Sequence, residues 1–226
     1  MLESEEQEMI VLKKYIDKRI IILCLLSVAY TLFSVYVYKE TNLSIHRGMI
    51  WNLFLALIPL FISIIILILS EHNKKRTIIF LGIIWLLFFP NAPYMITGFI
   101  HLSTIRFYTS GEFEIISWLR LIHFGLGALL GILIGMVSLY QVHQTILKYQ
   151  SKIKATLLMI LIMLSSGYAI YIGRLLRLNS WDVLYPQMLI QELIGNFGIF
   201  ALLSSLLFSF FILFTYVMYY YFIQRD

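Results

Sequence analysis

The side chains in this sequence that could do chemistry are few, mostly amide, aromatic or basic, and set among apolar residues. Segment 88–102 reads FFPNAPYMITGFIHL and carries Asn91, Tyr94, Thr97 and His101 past Pro90 and Pro93. Segment 171–182 reads YIGRLLRLNSWD and carries Arg174, Arg177, Asn179 and Asp182. Asn52 and His123 complete the set. Arginines three apart share one helix face, and guanidinium groups bind phosphate by charge-assisted hydrogen bonds. Amides and a phenol orient such a group, and an imidazole supplies a general base where chemistry follows.

The same set argues against other chemistry. It contains no obvious carboxylate pair and no nucleophile motif, so no catalytic residue is assigned and the balance is against an enzyme. Cys24 is the single cysteine, which excludes an internal disulfide and a thiolate metal cluster. His101, His123 and Asp182 could ligate zinc only from three separate segments, so no metal and no cofactor are expected. His123 and Asn91 each have a plainer role, as a histidine bonded to a neighbouring helix and as an amide repairing a broken one.

The elements that position these residues are membrane helices. Of 226 residues, 61% are hydrophobic and 13% charged, with a mean hydropathy of +0.88. Soluble domains carry about 25% charged residues. Aromatics, at 16%, fill gaps between helices and anchor at interfaces. The net charge of +5 does not point to nucleic acid, because Lys and Arg are spread over short loops as membrane orientation requires. The acidic start MLESEEQE and a long first apolar run argue against a cleaved signal peptide.

A span needs roughly 20 apolar residues, and six segments qualify: 20–38, 51–70, 78–97, 119–142, 155–176 and 196–222. The expected architecture is an all-α, polytopic membrane protein with one transmembrane domain, 20–226, after a cytoplasmic segment, 1–19. That segment is either a short surface helix or a frayed tail. An amphipathic piece over 185–195 is expected on the outer surface. Lys13, Lys14, Lys18, Arg19, Lys74, Lys75, Arg76, Lys148, Lys152, Lys154 and Arg225 gather on one side, against Lys39, Arg47, Arg106, Arg120, Arg174 and Arg177 on the other. The richer side should be cytoplasmic, with both termini inside.

Two local patterns refine this picture. His123, Gly127, Gly131 and Gly135 recur every four residues, so one helix face accepts close approach of another backbone. In the third span, Pro90 and Pro93 cannot donate to the carbonyls of Leu86 and Phe89, which in hydrocarbon must find other donors. Asn91 lies closest. The candidate residues then converge in the outer third, and the cytoplasmic half is expected to hold nothing comparable.

The pieces WNLFLALIP (51–59), FFPNAPYMITGFIHL (88–102) and YIGRLLRLNSWD (171–182) together resemble a bacterial integral membrane protein family of unknown function, domain of unknown function 1361. The resemblance covers most of the chain after about residue 20 and implies a multi-helix protein of the bacterial plasma membrane, without supplying a reaction. The pattern resembled carries an aspartate after the threonine of its middle motif, where this chain has Gly98. An Asp–His pair with His101 is thereby in doubt.

Three functions are weighed. An outward-facing polar pocket built from Asn52, Asn91, Tyr94, His101, His123, Arg174, Arg177, Asn179 and Asp182 would bind or process an anionic lipid or lipid-linked substrate, membrane lipids being the first partners. A small-solute transporter would use the broken helix for substrate contact, with a homodimer as one way to form the pathway. A structural or accessory membrane protein would need the polar residues only to mend helices.

Overall fold

The computed structural model describes residues 18–103, 105–109, 112–176, 185–196 and 198–223. Arg177, Asn179, Asp182 and the segment before Lys18 fall outside the described residues, and so do the expectations attached to them. The chain forms α1 (Lys18–Thr41), α2 (Ile45–Glu71), α3 (Lys75–Phe88), a single turn α4 (Asn91–Tyr94) and a 3₁₀ stretch (Met95–Leu102). It continues with α5 (Ile115–Tyr149), α6 (Lys152–Tyr171), a π turn (Ile172–Leu176), α7 (Pro186–Gly195) and α8 (Ile199–Ile223). Before α5, the two-residue strands β1 (Tyr108–Thr109) and β2 (Glu112–Phe113) pair antiparallel, with Tyr108 opposite Phe113.

Six stretches are long and apolar enough to cross a membrane, the broken one counted as Lys75–Leu102. The protein is an all-α, multi-pass membrane bundle. Asn42 and Asn73, with φ of 53° and 51°, reverse the chain after α1 and α2 in the left-handed conformation that asparagine tolerates best after glycine. These tight turns let α2 begin at Ile45 rather than at 51, so His46, Gly48 and Met49 are helical. Leu25, Ile79, Leu129, Leu157 and Leu207 point away from the bundle, onto the surface that hydrocarbon covers.

Hydroxyls inside the helices satisfy themselves locally. Ser27, Thr31, Ser34 and Thr41 of α1 donate to the carbonyls of Leu23, Ser27, Tyr30 and Val37, each one turn back. Longer-range bonds tie α2, α3 and α5 together at mid-depth. Trp85 Nε1 donates to Ser138 Oγ at 2.7 Å, and Ser138 donates to the Pro59 carbonyl at 2.9 Å. One serine thus connects the buried indole of α3 to the backbone of α2.

The glycine face of α5 receives the broken span. A Cβ on Gly131 would lie 2.6 Å from the Ala92 carbonyl oxygen and 2.9 Å from Met95 Cβ. On Gly135 it would lie 3.1 Å from Ala92 Cβ. The break itself is resolved by tightening. The Ala92 N–H donates to the Phe89 carbonyl at 3.1 Å, three residues back rather than four. That shift removes the expected donor from the Phe88 carbonyl, and Asn91 Nδ2 takes its place at 2.9 Å. The amide thus serves the Phe88 carbonyl, which the prolines alone do not single out.

One expectation is overturned. The end of the bundle bearing Lys148 is not devoid of polar groups. Ser63 donates to the Gln141 amide oxygen at 2.7 Å, and His143 Nδ1 lies 2.6 Å from the Tyr216 hydroxyl. Lys148 donates to the Ser70 carbonyl at 2.8 Å and to Glu71 at 3.3 Å. In the sequence, Ser63 and Tyr216 read as single polar positions in apolar helices, and Gln141, His143 and Lys148 as one run near a helix end. Their partners are supplied by helices distant in sequence.

Candidate functional site

At the opposite end, a cavity of about 610 Å³ opens between the first turns of α2, the 3₁₀ stretch and the π turn that ends α6. Asn52, Tyr94, Thr97, His101 and Arg174 all line it, with Met49 and Gly98 in its wall. Four of the candidate residues, Asn52, Tyr94, His101 and Arg174, thus meet around one space from four elements, α2, α4, the 3₁₀ stretch and the π turn. Its volume falls in the range of small-molecule sites, roughly 300–1,000 Å³. Among the described residues, no Asp or Glu lines it.

Local structure explains how each side chain arrives. A 3₁₀ helix repeats every three residues, so Gly98 and His101 stand in one row behind Met95, with Thr97 in the adjoining row and Tyr94 just before it at the end of α4. The π turn widens the last turn of α6 and puts Gly173 and Arg174 on the cavity wall. Such turns are frequent at functional sites. Below it, Tyr171 Oη donates to the Asn196 carbonyl at 3.1 Å, fastening the end of α6 to the approach to α8.

Arg174 Nη2 lies 3.3 Å from His101 Nε2. Arginine can only donate, so the imidazole presents an unprotonated Nε2 and carries its hydrogen on Nδ1. Arg120 Nη2 reaches the backbone carbonyl of His101 at 3.4 Å. A single residue thereby holds two guanidinium groups, one from each flanking helix. Arg120 of α5 is not among the residues lining the cavity and reaches it only through His101; in sequence it stands out only as one of the basic residues that orient the chain. Its signal was its place one turn before His123 and Phe124 on the same helix face.

The remaining candidates are elsewhere. Asn91 sits at the helix break, outside the cavity lining, with its amide on Phe88. His123 is fully buried behind the wall, with Nε2 2.8 Å from Ser34 Oγ and Nδ1 3.1 Å from Nδ1 of His46. His46 was not legible as a site residue, because a helix start at 51 leaves it in a loop. Gly98 is closely covered: a Cβ there would lie 3.1 Å from Phe124 and 3.3 Å from Met49. Among the described residues, no group of three or more His, Cys, Asp or Glu side chains is placed to hold a metal ion.

A second cavity, of about 320 Å³, lies at the Lys148 end and is lined by Ser70, Glu71, Gln141, Gln144, Thr145 and Lys148, among others. Between the two, Leu53, Ala56 and Leu60 of α2 are fully packed.

In comparison with known proteins, the family described as "Protein of unknown function (DUF1361)" matches residues 51–220. α1, which the resemblance in the sequence was expected to include, lies before the matched region. No curated protein and no solved structure matches the chain.

Proposed function

Because the chain belongs to this DUF1361 family of unknown function, its role must be drawn from its own site, and we propose that the larger cavity binds the phosphate head group of an anionic lipid or lipid-linked molecule. One observation carries this reading: Arg174 and Arg120 both donate to His101 beside a cavity whose described lining holds no carboxylate. Two guanidinium groups near the hydrocarbon edge are costly unless they pair or meet an anion. A neutral imidazole and a carbonyl are modest partners for them, so a phosphate arriving between them gains charge-assisted bonds that neither His101 group provides. Asn52 and Tyr94 line the same space and orient the head group. The excess of Lys at the other end supports a cytoplasmic placement there, which turns the cavity to the outside of a bacterial plasma membrane.

The test is native mass spectrometry of protein purified in mild detergent. Wild type should carry an anionic lipid, and Arg174→Ala should lose most of it. Equal lipid occupancy in the two proteins would defeat the reading.

A second reading, solute transport, is favoured by the polar cavity at the Lys148 end, which shares α2 with the larger one. Transport requires the packed Leu53, Ala56 and Leu60 between them to separate. Uptake into proteoliposomes that Gln141→Leu abolishes would support it. A purely structural role accounts for Asn91 but leaves Arg174 beside a cavity without a reason.

A further inference from the structure

Beneath the cavity wall runs a chain of hydrogen bonds whose direction can be worked out. The Ser34 hydroxyl lies 2.8 Å from the Tyr30 carbonyl and donates there, as Ser27, Thr31 and Thr41 of the same helix do one turn back. Its only hydrogen is committed, so at 2.8 Å from His123 Nε2 it must accept. His123 therefore carries its hydrogen on Nε2 and offers an unprotonated Nδ1. His46 Nδ1, 3.1 Å away, donates to it. What remains is His46 Nε2, an unprotonated acceptor, fully buried and with no hydrogen-bond partner in the protein.

This atom is not isolated in its need. Thr97 Oγ1 and Arg120 Nε are also buried without hydrogen-bond partners. Among the described residues, no such atom lies toward the Lys148 end. Buried polar groups are normally satisfied, so a cluster of exceptions on one side marks where a polar molecule completes the protein. His46 stands directly behind the cavity: Ile45 and Met49, its neighbours along α2, line it. Phe124 packs 5.4 Å from the His46 ring and 5.9 Å from His101, which also lines it. Met49, three residues beyond His46 on α2 and part of the cavity wall, is unbranched and readily changes rotamer.

We propose that the head group bound in this cavity carries a free hydroxyl beside its phosphate, and that the hydroxyl donates to His46 Nε2. The proposal rests on the phosphate-binding reading above and narrows it. A phosphodiester anion has no hydrogen to give, so it satisfies the arginines but not His46. A glycerol or sugar ester of phosphate satisfies both. Ser34 and His123 are positioning residues that fix which nitrogen of His46 accepts.

The experiment compares two lipids of equal charge, phosphatidylglycerol and phosphatidylmethanol, at equal mole fraction in mixed micelles, by native mass spectrometry. Wild type should favour phosphatidylglycerol by about 5- to 10-fold, the value of one hydrogen bond. His46→Phe should bind the two equally, and His46→Gln, which keeps an acceptor, should retain the preference. Arg174→Ala should weaken both lipids alike. Equal binding of the two lipids by wild type overturns the hydroxyl proposal while leaving the phosphate reading intact. Binding of neither removes both. Competition by soluble glycerol phosphate, but not by methyl phosphate, would support the same chemistry with a water-soluble source. Independently of folding defects in any variant, ¹⁵N-histidine NMR of wild type should show an unprotonated Nε2 on His46, shifting upfield when phosphatidylglycerol is added. A protonated Nε2 in the lipid-free protein would overturn the assignment.

Discussion

At the scale of single residues, Asn91 and His101 divide the work that the sequence seemed to give to one motif. Asn91 closes the backbone at Phe88, so Asn91→Ala strands a carbonyl and should cost about 1–3 kcal/mol. Thermal unfolding in detergent should show this as a lower midpoint, while Arg174-dependent lipid occupancy persists. Loss of lipid without loss of stability would instead make Asn91 a ligand contact. Ser138 is expected to behave similarly. Ser138→Ala leaves both Trp85 Nε1 and the Pro59 carbonyl without their bonds, a loss on the order of 2 kcal/mol that the same melt should report. The sequence made Asn91 visible because prolines bracket it. It could not show which carbonyl needed the amide, since that depends on Ala92 bonding three residues back instead of four. Arg120 and His46 stayed hidden for a different reason. Each is ordinary in its own helix and becomes unusual only beside a partner 19 or 77 residues away.

At the scale of elements, the glycine face of α5 decides where the broken span can lie. Gly131 faces the Ala92 carbonyl oxygen, whereas a Cβ on Gly82 of α3 would meet nothing within 4 Å. Gly131→Ala should therefore force α4 away from α5 and destabilise by about 1–3 kcal/mol through overpacking. Gly82→Ala should be neutral or stabilise by up to about 1 kcal/mol, through helix propensity alone. Paired thermal melts would check the contrast, and equal effects would show that the close approach does not matter. The four-residue spacing announces such a face from sequence. It does not announce that the incoming partner is a one-turn helix with a 3₁₀ continuation, because that geometry follows from the prolines and from Asn91 together.

At the scale of the whole molecule, six apolar spans were legible because lipid leaves a helix few alternatives, and the shift of the α2 start to Ile45 changed the site more than the fold. The polar end at Lys148 was not legible: Ser138, Gln141 and Thr145 do share a helical spacing, but Ser63 and Tyr216 had to arrive from elsewhere. Orientation can be tested with single cysteines in a Cys24→Ser background. Ser103→Cys should react with an impermeant maleimide from outside, and Lys152→Cys only after the membrane is opened; the reverse pattern would turn the cavity inward. The 3₁₀ stretch also sets a length. Eight residues wound that way span about 16 Å, against about 12 Å in an α-helix. The third span thus gains about 4 Å of reach without a single added residue. Rewound as α-helix, it would set His101 back by about 3 Å, enough to break its 3.3 Å contact with Arg174.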